Sequence, residues 1–303
     1  MKIVECVPNF SNGRDEDVLD SIISSISSVP SVKILNREMD YDHNRSVVTF
    51  IVEYDHAVEA AFRGIETASK LIDMNKHRGE HPRFGATDVV PFVPVSGCSL
   101  EDCSVLAREL GERVGSQLNI PVYLYGEAAN RPERKSLEKI RNKNFQYEQL
   151  KDSITEDRWT PDFGPRSIGS AGATIIGSRD YLIAYNVYLN TDNMEIGKKI
   201  VRAVRGRSGG LTYVKALPFF ISERNQVQIS MNLTNFKKTP IYRVFEMIRI
   251  EARRFGVSIT GSEIVGLIPL DAMLRSFEYY IGLEGFTKSQ ILEMNLLSSE
   301  NEV

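Results

Sequence analysis

The sequence predicts an α/β chain of the α+β type, two tandem ferredoxin-like βαββαβ subdomains with mixed or antiparallel sheets and a cleft or tunnel between them. Three observations carry this. Residues 2–95 read strand, helix, strand, strand, helix, strand, the split βαβ order, and past residue 180 the same order returns. The 303 residues are also enough for two ordinary domains. The halves share little residue identity, so the repeat is architectural. The boundary is expected at 178/179, giving subdomains 1–178 and 179–303.

Residues 2–8 alternate apolar and polar side chains, the period of a half-buried strand. Residues 15–28 place Val18, Ile22, Ile23 and Ile26 at helical spacing. Segments 32–39 and 46–54 are rich in β-branched residues and read as strands. Residues 56–74 gather Val58, Ala61, Phe62, Ile65, Ala68 and Ile72 on one helical face, and the apolar run 89–95 completes the set. Between the halves come a helix at 99–117, a strand at 121–125 and a polar helix from about 133 to 150. The second set is a strand at 181–187, a helix at 193–204, strands at 211–217 and 226–234, a helix at 239–254 and a strand near 257–265. In strand 226–234, Val227, Ile229, Met231 and Leu233 share one face. Gln228, Ser230 and Asn232 share the other, a polar face that is either solvated or lines a cleft.

Composition excludes several classes. Hydrophobic residues at 42% and charged residues at 25% are the balance of a soluble globular protein. A formal net charge of −3 provides no overall basic field for nucleic acid or an anionic membrane. Cys6, Cys98 and Cys103 are odd in number and form no CxxC pair, which favours a reduced compartment over a disulfide framework. No run approaches the roughly 18 apolar residues of a membrane span, and Met1–Cys6 reads as a strand rather than a signal peptide. The expected location is the cytoplasm, with neither nucleic acid nor membrane as partner.

The densest polar segment is His77-Arg78-Gly79-Glu80-His81-Pro82-Arg83-Phe84-Gly85-Ala86-Thr87-Asp88, directly before the strand at 89–95. Its imidazoles lie among carboxylates and guanidiniums, where protons move easily near neutral pH. His77 and His81 form an H-x-x-E-H pattern, the order of one metalloprotease signature. Zinc binding needs both on one helical face, which Gly79 weakens and Pro82 opposes, and no third ligand is evident. For acid–base chemistry one imidazole suffices if a carboxylate orients it, and Glu80 and Asp88 are nearest. Asp88 reads equally as a turn residue. Arg83 either pairs with Glu80 or binds a substrate carboxylate through its planar fork. His43 and His56 look bland beside these.

A second loop, Trp159 to Ala173, is too rich in proline and glycine for regular structure. Loops of this length inside compact proteins are usually functional or disordered, and Trp159 and Phe163 argue against disorder. Its 164–172 portion lacks the P-loop and dinucleotide patterns. A main-chain slot for a flat heterocycle fits better, because glycine lets backbone approach a ring. Arg205-Gly206-Arg207-Ser208-Gly209-Gly210 reads equally as a solvated turn or an anion site.

Several segments resemble the glutamate formimidoyltransferase family: Val4-Glu5-Cys6-Val7-Pro8-Asn9-Phe10-Ser11, Asn44-Arg45-Ser46-Val47 and His77 to Ala86. So do Pro121 to Ala129, Pro161-Asp162-Phe163-Gly164-Pro165 and Gly261 to Pro269, and the resemblance covers nearly the whole chain. It implies transfer of the formimidoyl group from N-formimidoyl-L-glutamate to N5 of tetrahydrofolate, with release of glutamate. It further implies two α/β subdomains, a homodimer, tetrahydrofolate as co-substrate and no metal. The chain ends about where the cyclodeaminase module of animal members begins, so a stand-alone transferase is expected. The family's catalytic histidine maps to His81. Its folate loop maps to Gly164, Pro165, Arg166, Ser167, Ile168, Gly169, Ser170, Ala171 and Gly172. The acid near its first hairpin maps to Glu38, and Asn44, Arg45, Arg83 and Asp88 complete the expected substrate site.

In the expected mechanism His81 takes the N5 proton and returns one to the departing glutamate nitrogen. Arg45 and Arg83, with Arg207 behind them, answer the donor's carboxylates. The alternatives are a relative acting on a formyl-tetrahydrofolate with ATP, a zinc hydrolase using His77 and His81, and a non-catalytic folate-binding protein.

Overall fold

Strand alternation decides which face of the first sheet is core. In the computed structural model, which describes residues 1–299, β1 (Ile3–Cys6) and the two-residue β2 (Asn9–Phe10) are followed by helix α1 (Glu16–Ser27). Then come β3 (Lys33–Asp40), β4 (Arg45–Glu53), α2 (Ala57–Leu71) and β5 (Thr87–Ser96). β1 and β2 lie between β4 and β5, antiparallel to both, and β3 flanks β4. That is the expected βαββαβ arrangement. Val48, Phe50 and Val52 of β4 join Cys6, Phe10, Val90 and Phe92 in a core closed by Leu19, Ile22 and Ile26 of α1 and Ile65 of α2. Their sequence neighbours Arg45, Val47 and Thr49 therefore point to the other face. Glu5 is on that face too, and burial pushes its carboxyl up to about 7, with Arg179 opposing.

The chain then extends the sheet. Helix α3 (Leu100–Gln117) begins with a capping box between Ser99 and Asp102 and leads to β6 (Val122–Gly126). Two short helices follow, α4 (Leu137–Ile140) and α5 (Tyr147–Ser153), then β7 (Thr174–Ser178). β7 inserts parallel between β5 and β6, giving seven strands.

A second unit begins at Tyr181, the first being Met1–Asp180. It runs β8 (Ile183–Leu189), α6 (Met194–Val204), β9 (Val214–Ile221), β10 (Gln226–Leu233), α7 (Ile241–Arg253) and β11 (Ile259–Val265). Helices α8 (Leu270–Ile281) and α9 (Leu292–Ser299) follow. Its sheet order β11-β8-β10-β9, wholly antiparallel, repeats the β5-β1-β4-β3 order of the first unit. The fold class is the one the sequence predicts.

Three elements of the first unit differ from the expectation, and helices α8 and α9 extend the second unit beyond the expected elements. The helix expected over 133–150 is broken: α4 and α5 are separated by Arg141–Gln146, where Asn142 and Phe145 form a bridge. Arg141 leaves to reach Asp88, Phe145 stacks on Trp159 with centroids 3.9 Å apart, and Tyr147 donates its N–H to the Arg83 carbonyl at 2.8 Å. Tertiary bonds outweigh the modest helix preference of a polar segment. Helix α2 stops at Leu71 rather than 74, because Ile72 turns extended. β7 had no counterpart in the reading, since Thr174-Ile175-Ile176-Gly177-Ser178 is buried on both faces and shows no alternation. None of the helices is long and apolar enough to cross a membrane, among the described residues.

Candidate active site

The site begins where β4 begins. Asn44 takes a left-handed conformation, φ +47°, which asparagine tolerates better than most residues. Its Oδ1 accepts from the Gly13 N–H at 2.9 Å and its Nδ2 donates to the Arg78 carbonyl at 2.9 Å. Its own carbonyl lies 2.9 Å from Nε2 of His77. A carbonyl only accepts, so Nε2 carries the hydrogen and Nδ1 is left to accept from the Arg83 Nε–H at 3.1 Å. Burial, the largest cause, pushes the His77 pKa down, with the Asn44 bond opposing and nearby Arg83 reinforcing. His77 is therefore a buried, neutral bracket between β4 and its own loop. With both ring nitrogens bonded, it has no lone pair for a metal, and residues 77–84 form no helix.

Arg83 is 5% exposed and all five of its N–H groups have partners. Besides His77 Nδ1, it donates to Gln146 Oε1 at 2.8 Å, to the two carboxylate oxygens of Glu148 at 2.8 and 2.6 Å, and to the His77 carbonyl at 3.4 Å. In this arrangement no donor remains for a substrate carboxylate, and the partner is Glu148 rather than Glu80. Asp88 is likewise engaged. It accepts from the Phe84 N–H at 2.9 Å and takes Arg141 as a fork, Nε at 3.0 Å and an Nη at 2.6 Å.

His81 is different. Its Nδ1 is buried with no hydrogen-bond partner. Burial first, then the guanidiniums of Arg45 and Arg141, push its pKa down to about 2, so the ring is neutral. Arg45 donates to Asn9 Oδ1, while its Nε is buried and unpaired. His81 meets the His43 ring edge-on, with centroids 5.9 Å apart. One pocket is lined by His81, His43, Asn44, Arg45, Arg83 and Asp88, with Phe10, Ser11 and His77 completing its wall. Five of the six residues expected here thus meet in one place. Glu38 stands apart on β3, exposed and accepting from Asn36 Nδ2 at 2.7 Å, and it reaches the pocket only through its field on Arg45.

The 164–172 loop is stitched to the His81 loop through main chain. The Ala86 N–H bonds the Ala171 carbonyl at 2.8 Å, the Met74 N–H bonds Ser170 at 2.8 Å, and Ala173 bonds Phe84 at 3.0 Å. The contact needs glycine. A Cβ on Gly172 (φ +73°) would lie 2.3 Å from the Phe84 carbonyl, and one on Gly85 2.3 Å from that of Ala173. Gly164 turns beside the Ile120 carbonyl, Ile168 packs partly into the core, and Pro165 is half-buried. Ser167, Gly169 and Ser170 are exposed. Arg166 turns away to the Thr155 carbonyl and Asp157. The base of the loop is anchored by a buried pair, Arg134 to Asp162 at 2.6 Å, with the Leu124 N–H on the same carboxylate at 2.8 Å. Arg207, in the second unit, lies on a turn where Arg205 bonds Ser208 at 2.6 Å.

Sequence reasoning missed Arg141, Ser11 and the Asp40–His43 pair. Arg141 carries no local signal, being 53 residues from Asp88 in a segment that reads as helix. Ser11, whose Oγ donates to the Gly85 carbonyl at 2.7 Å, looks like any turn serine. Asp40-x-x-His43 does carry one, since an Asp accepting from a main-chain N–H three residues on is a common turn.

The sequence profile of the formiminotransferase domain, N-terminal subdomain, matches residues 3–179, and that of the formiminotransferase domain matches 184–296. The chain belongs to the formiminotransferase family. Among the relatives of this formiminotransferase chain is the glutamate formimidoyltransferase of Thermoplasma acidophilum, 60% identical over 301 residues, 99% of each chain. That of Streptococcus pyogenes is 45% identical, covering 98% of this chain and 99% of its own. The formimidoyltransferase-cyclodeaminase of Mus musculus is 42% identical over 93% of this chain, which spans 53% of that longer formiminotransferase relative.

Proposed function

We propose that the chain transfers the formimidoyl group from N-formimidoyl-L-glutamate to N5 of tetrahydrofolate, releasing L-glutamate, with His81 as the acid–base group next to the reacting nitrogen. The observation that carries this reading is the neutral His81 ring, whose buried Nδ1 has no protein partner, in a pocket walled by guanidiniums. A neutral imidazole is the form that accepts a proton, and N5 must lose one as it bonds to the formimidoyl carbon.

Arg45, through the buried Nε that nothing in the protein satisfies, is the side chain placed to hold a carboxylate of the donor. Asn44, Arg83 and Asp88 support it: they shape the pocket, and their own hydrogen bonds are made within the protein. Glu38 adds a negative field at Arg45. The main chain of Gly164–Gly172, tied to the His81 loop, is the surface offered to the pterin ring. Holding two substrates in attack geometry supplies much of the remaining rate.

The compartment in this reading is the cytoplasm, which Cys6, Cys98 and Cys103 favour as free thiols. The assembly is a homodimer, supported by the exposed Met273, Phe277, Tyr279 and Ile281 of α8 and tested by sedimentation. The central test mixes the purified chain with formimidoylglutamate and tetrahydrofolate and follows glutamate release. Release at catalytic rates that collapses in His81→Ala, with folate affinity kept, supports the reading. Absence of release from the parent chain overturns it.

A further inference from the structure

One imidazole leaves half of the reaction without an agent. An amine does not leave as its anion, so the glutamate nitrogen needs a proton while His81 is engaged with the one from N5. The same pocket holds a second imidazole, bonded to a carboxylate. We propose that His43, oriented by Asp40, is the general acid of the transfer, protonating the departing glutamate nitrogen while His81 takes the proton from N5.

Four observations place it there. His43 and His81 line the same pocket, rings edge-on with centroids 5.9 Å apart. Nδ1 of His43 lies 2.6 Å from Asp40 Oδ2, and a carboxylate only accepts, so Nδ1 carries a hydrogen and Nε2 is the free, reacting nitrogen. The same carboxylate accepts the His43 main-chain N–H at 2.8 Å, which fixes the backbone as well as the ring. Asn44, next in the chain, is locked on both sides by Gly13 and Arg78, so the turn presenting His43 is built rather than loose. Asp40 itself is held below the usual carboxylate range. Partial burial pushes it up, but the bonds from the His43 main chain and ring together pull it further down. One imidazole beside a guanidinium and one paired with a carboxylate, in the same pocket, divide the base and acid roles between them.

The step balances without outside reagents. The N5–carbon bond forms as the C=N π pair moves onto the imino nitrogen, and the N5 proton passes to His81; that pair re-forms the C=N bond as glutamate leaves. The carbon–nitrogen bond to glutamate breaks, its electron pair stays on nitrogen, and the His43 proton satisfies it. The imidazolium left on His81 faces two guanidiniums and returns its proton to His43, directly or through one water.

This inference rests on the transferase reading, and the experiment separates the two. Glutamate release is measured for the parent chain, His43→Gln, His43→Ala and Asp40→Asn, each checked for an unchanged melting temperature. If the parent releases no glutamate, the transferase reading has failed and this one with it. With an active parent, His43→Gln is expected to lose about 100-fold in kcat with both KM values within about threefold, the usual worth of one positioned acid. Added imidazole is expected to restore at least about fivefold to His43→Ala, whose turn is exposed enough to admit it. Asp40→Asn, which keeps the ring but not its orientation, is expected to lose about tenfold in kcat alone. A kcat for folded His43→Gln within about threefold of the parent overturns the proposal, as does a loss in folded His43→Ala that imidazole does not reverse. If neither His43 variant folds, an Asp40→Asn kcat equal to the parent's overturns it.

Discussion

Arg83 donates its Nε–H to Nδ1 of His77 at 3.1 Å, and in doing so occupies the lone pair that an H-x-x-E-H metal site would need. The two histidines of that pattern do unlike work: His77 braces the pocket and His81 faces into it. Replacing His77 with Phe leaves the Asn44 carbonyl and the Arg83 Nε–H buried without partners, at about 1–3 kcal/mol for each group. Denaturant titration is expected to show a loss of about 2–6 kcal/mol for the two groups together, and a chelator to leave the parent's activity unchanged.

Asp88 and Arg141 test whether a carboxylate beside the His81 loop is catalytic or structural. Both are buried, so Asp88→Asn strands a guanidinium and is expected to cost about 3–5 kcal/mol by chemical denaturation. Glu148→Gln also removes the counter-charge of a buried guanidinium, but its carboxylate is 46% exposed and screened by water, so its cost should fall below that of Asp88→Asn.

The acid side of the stability profile holds two opposed contributions. His81, held near 2 when folded against 6.5 when free, stabilises fully above pH 6.5 and loses that contribution as pH falls below it. His77 acts with the same sign. Glu5, raised from 4.5 to about 7, stabilises fully below pH 4.5 and loses its contribution as pH rises through 7. Between pH 4.5 and 6.5 they offset, at up to about 1.4 kcal/mol per pH unit for each proton. Glu5→Gln should steepen the fall in stability toward acid, and His81→Gln should flatten it. Urea midpoints across that window decide the matter, and parallel curves for all three proteins would refute the assignment.

Two glycines of the second loop separate folding from binding. Gly172→Ala drives a Cβ into the Phe84 carbonyl from a left-handed backbone, so a lowered melting temperature is expected. A Cβ on Gly169 meets nothing within 4 Å, so Gly169→Ala should melt like the parent. If the loop main chain carries the pterin, Gly169→Ala still weakens tetrahydrofolate binding, read by equilibrium fluorescence.

Much of this was legible in the residues. The β-branched run of β4 and the apolar stripe of α2 announce the first sheet and its cover, and the clustered titratable groups of 77–88 mark the loop that holds His81. What stayed hidden depends on long-range partners. Whether Arg83 reads as substrate ligand or strut turns on Gln146 and Glu148, more than sixty residues away. β7 is invisible because a strand buried on both faces beside a glycine loop shows no period. His43 looked bland because its significance is spatial: it matters through the ring opposite it, 38 residues on.

The main-chain seam between residues 84–86 and 170–173 has a consequence for how such enzymes can be altered. Two hydrogen bonds and two tight glycine contacts fix the loops in a common register, so inserting or deleting a residue near Gly172 displaces the segment that carries His81. In the proposed reading, specificity for the folate is therefore not an exchangeable cartridge in this fold. A transplanted acceptor loop arrives out of step unless the histidine segment travels with it.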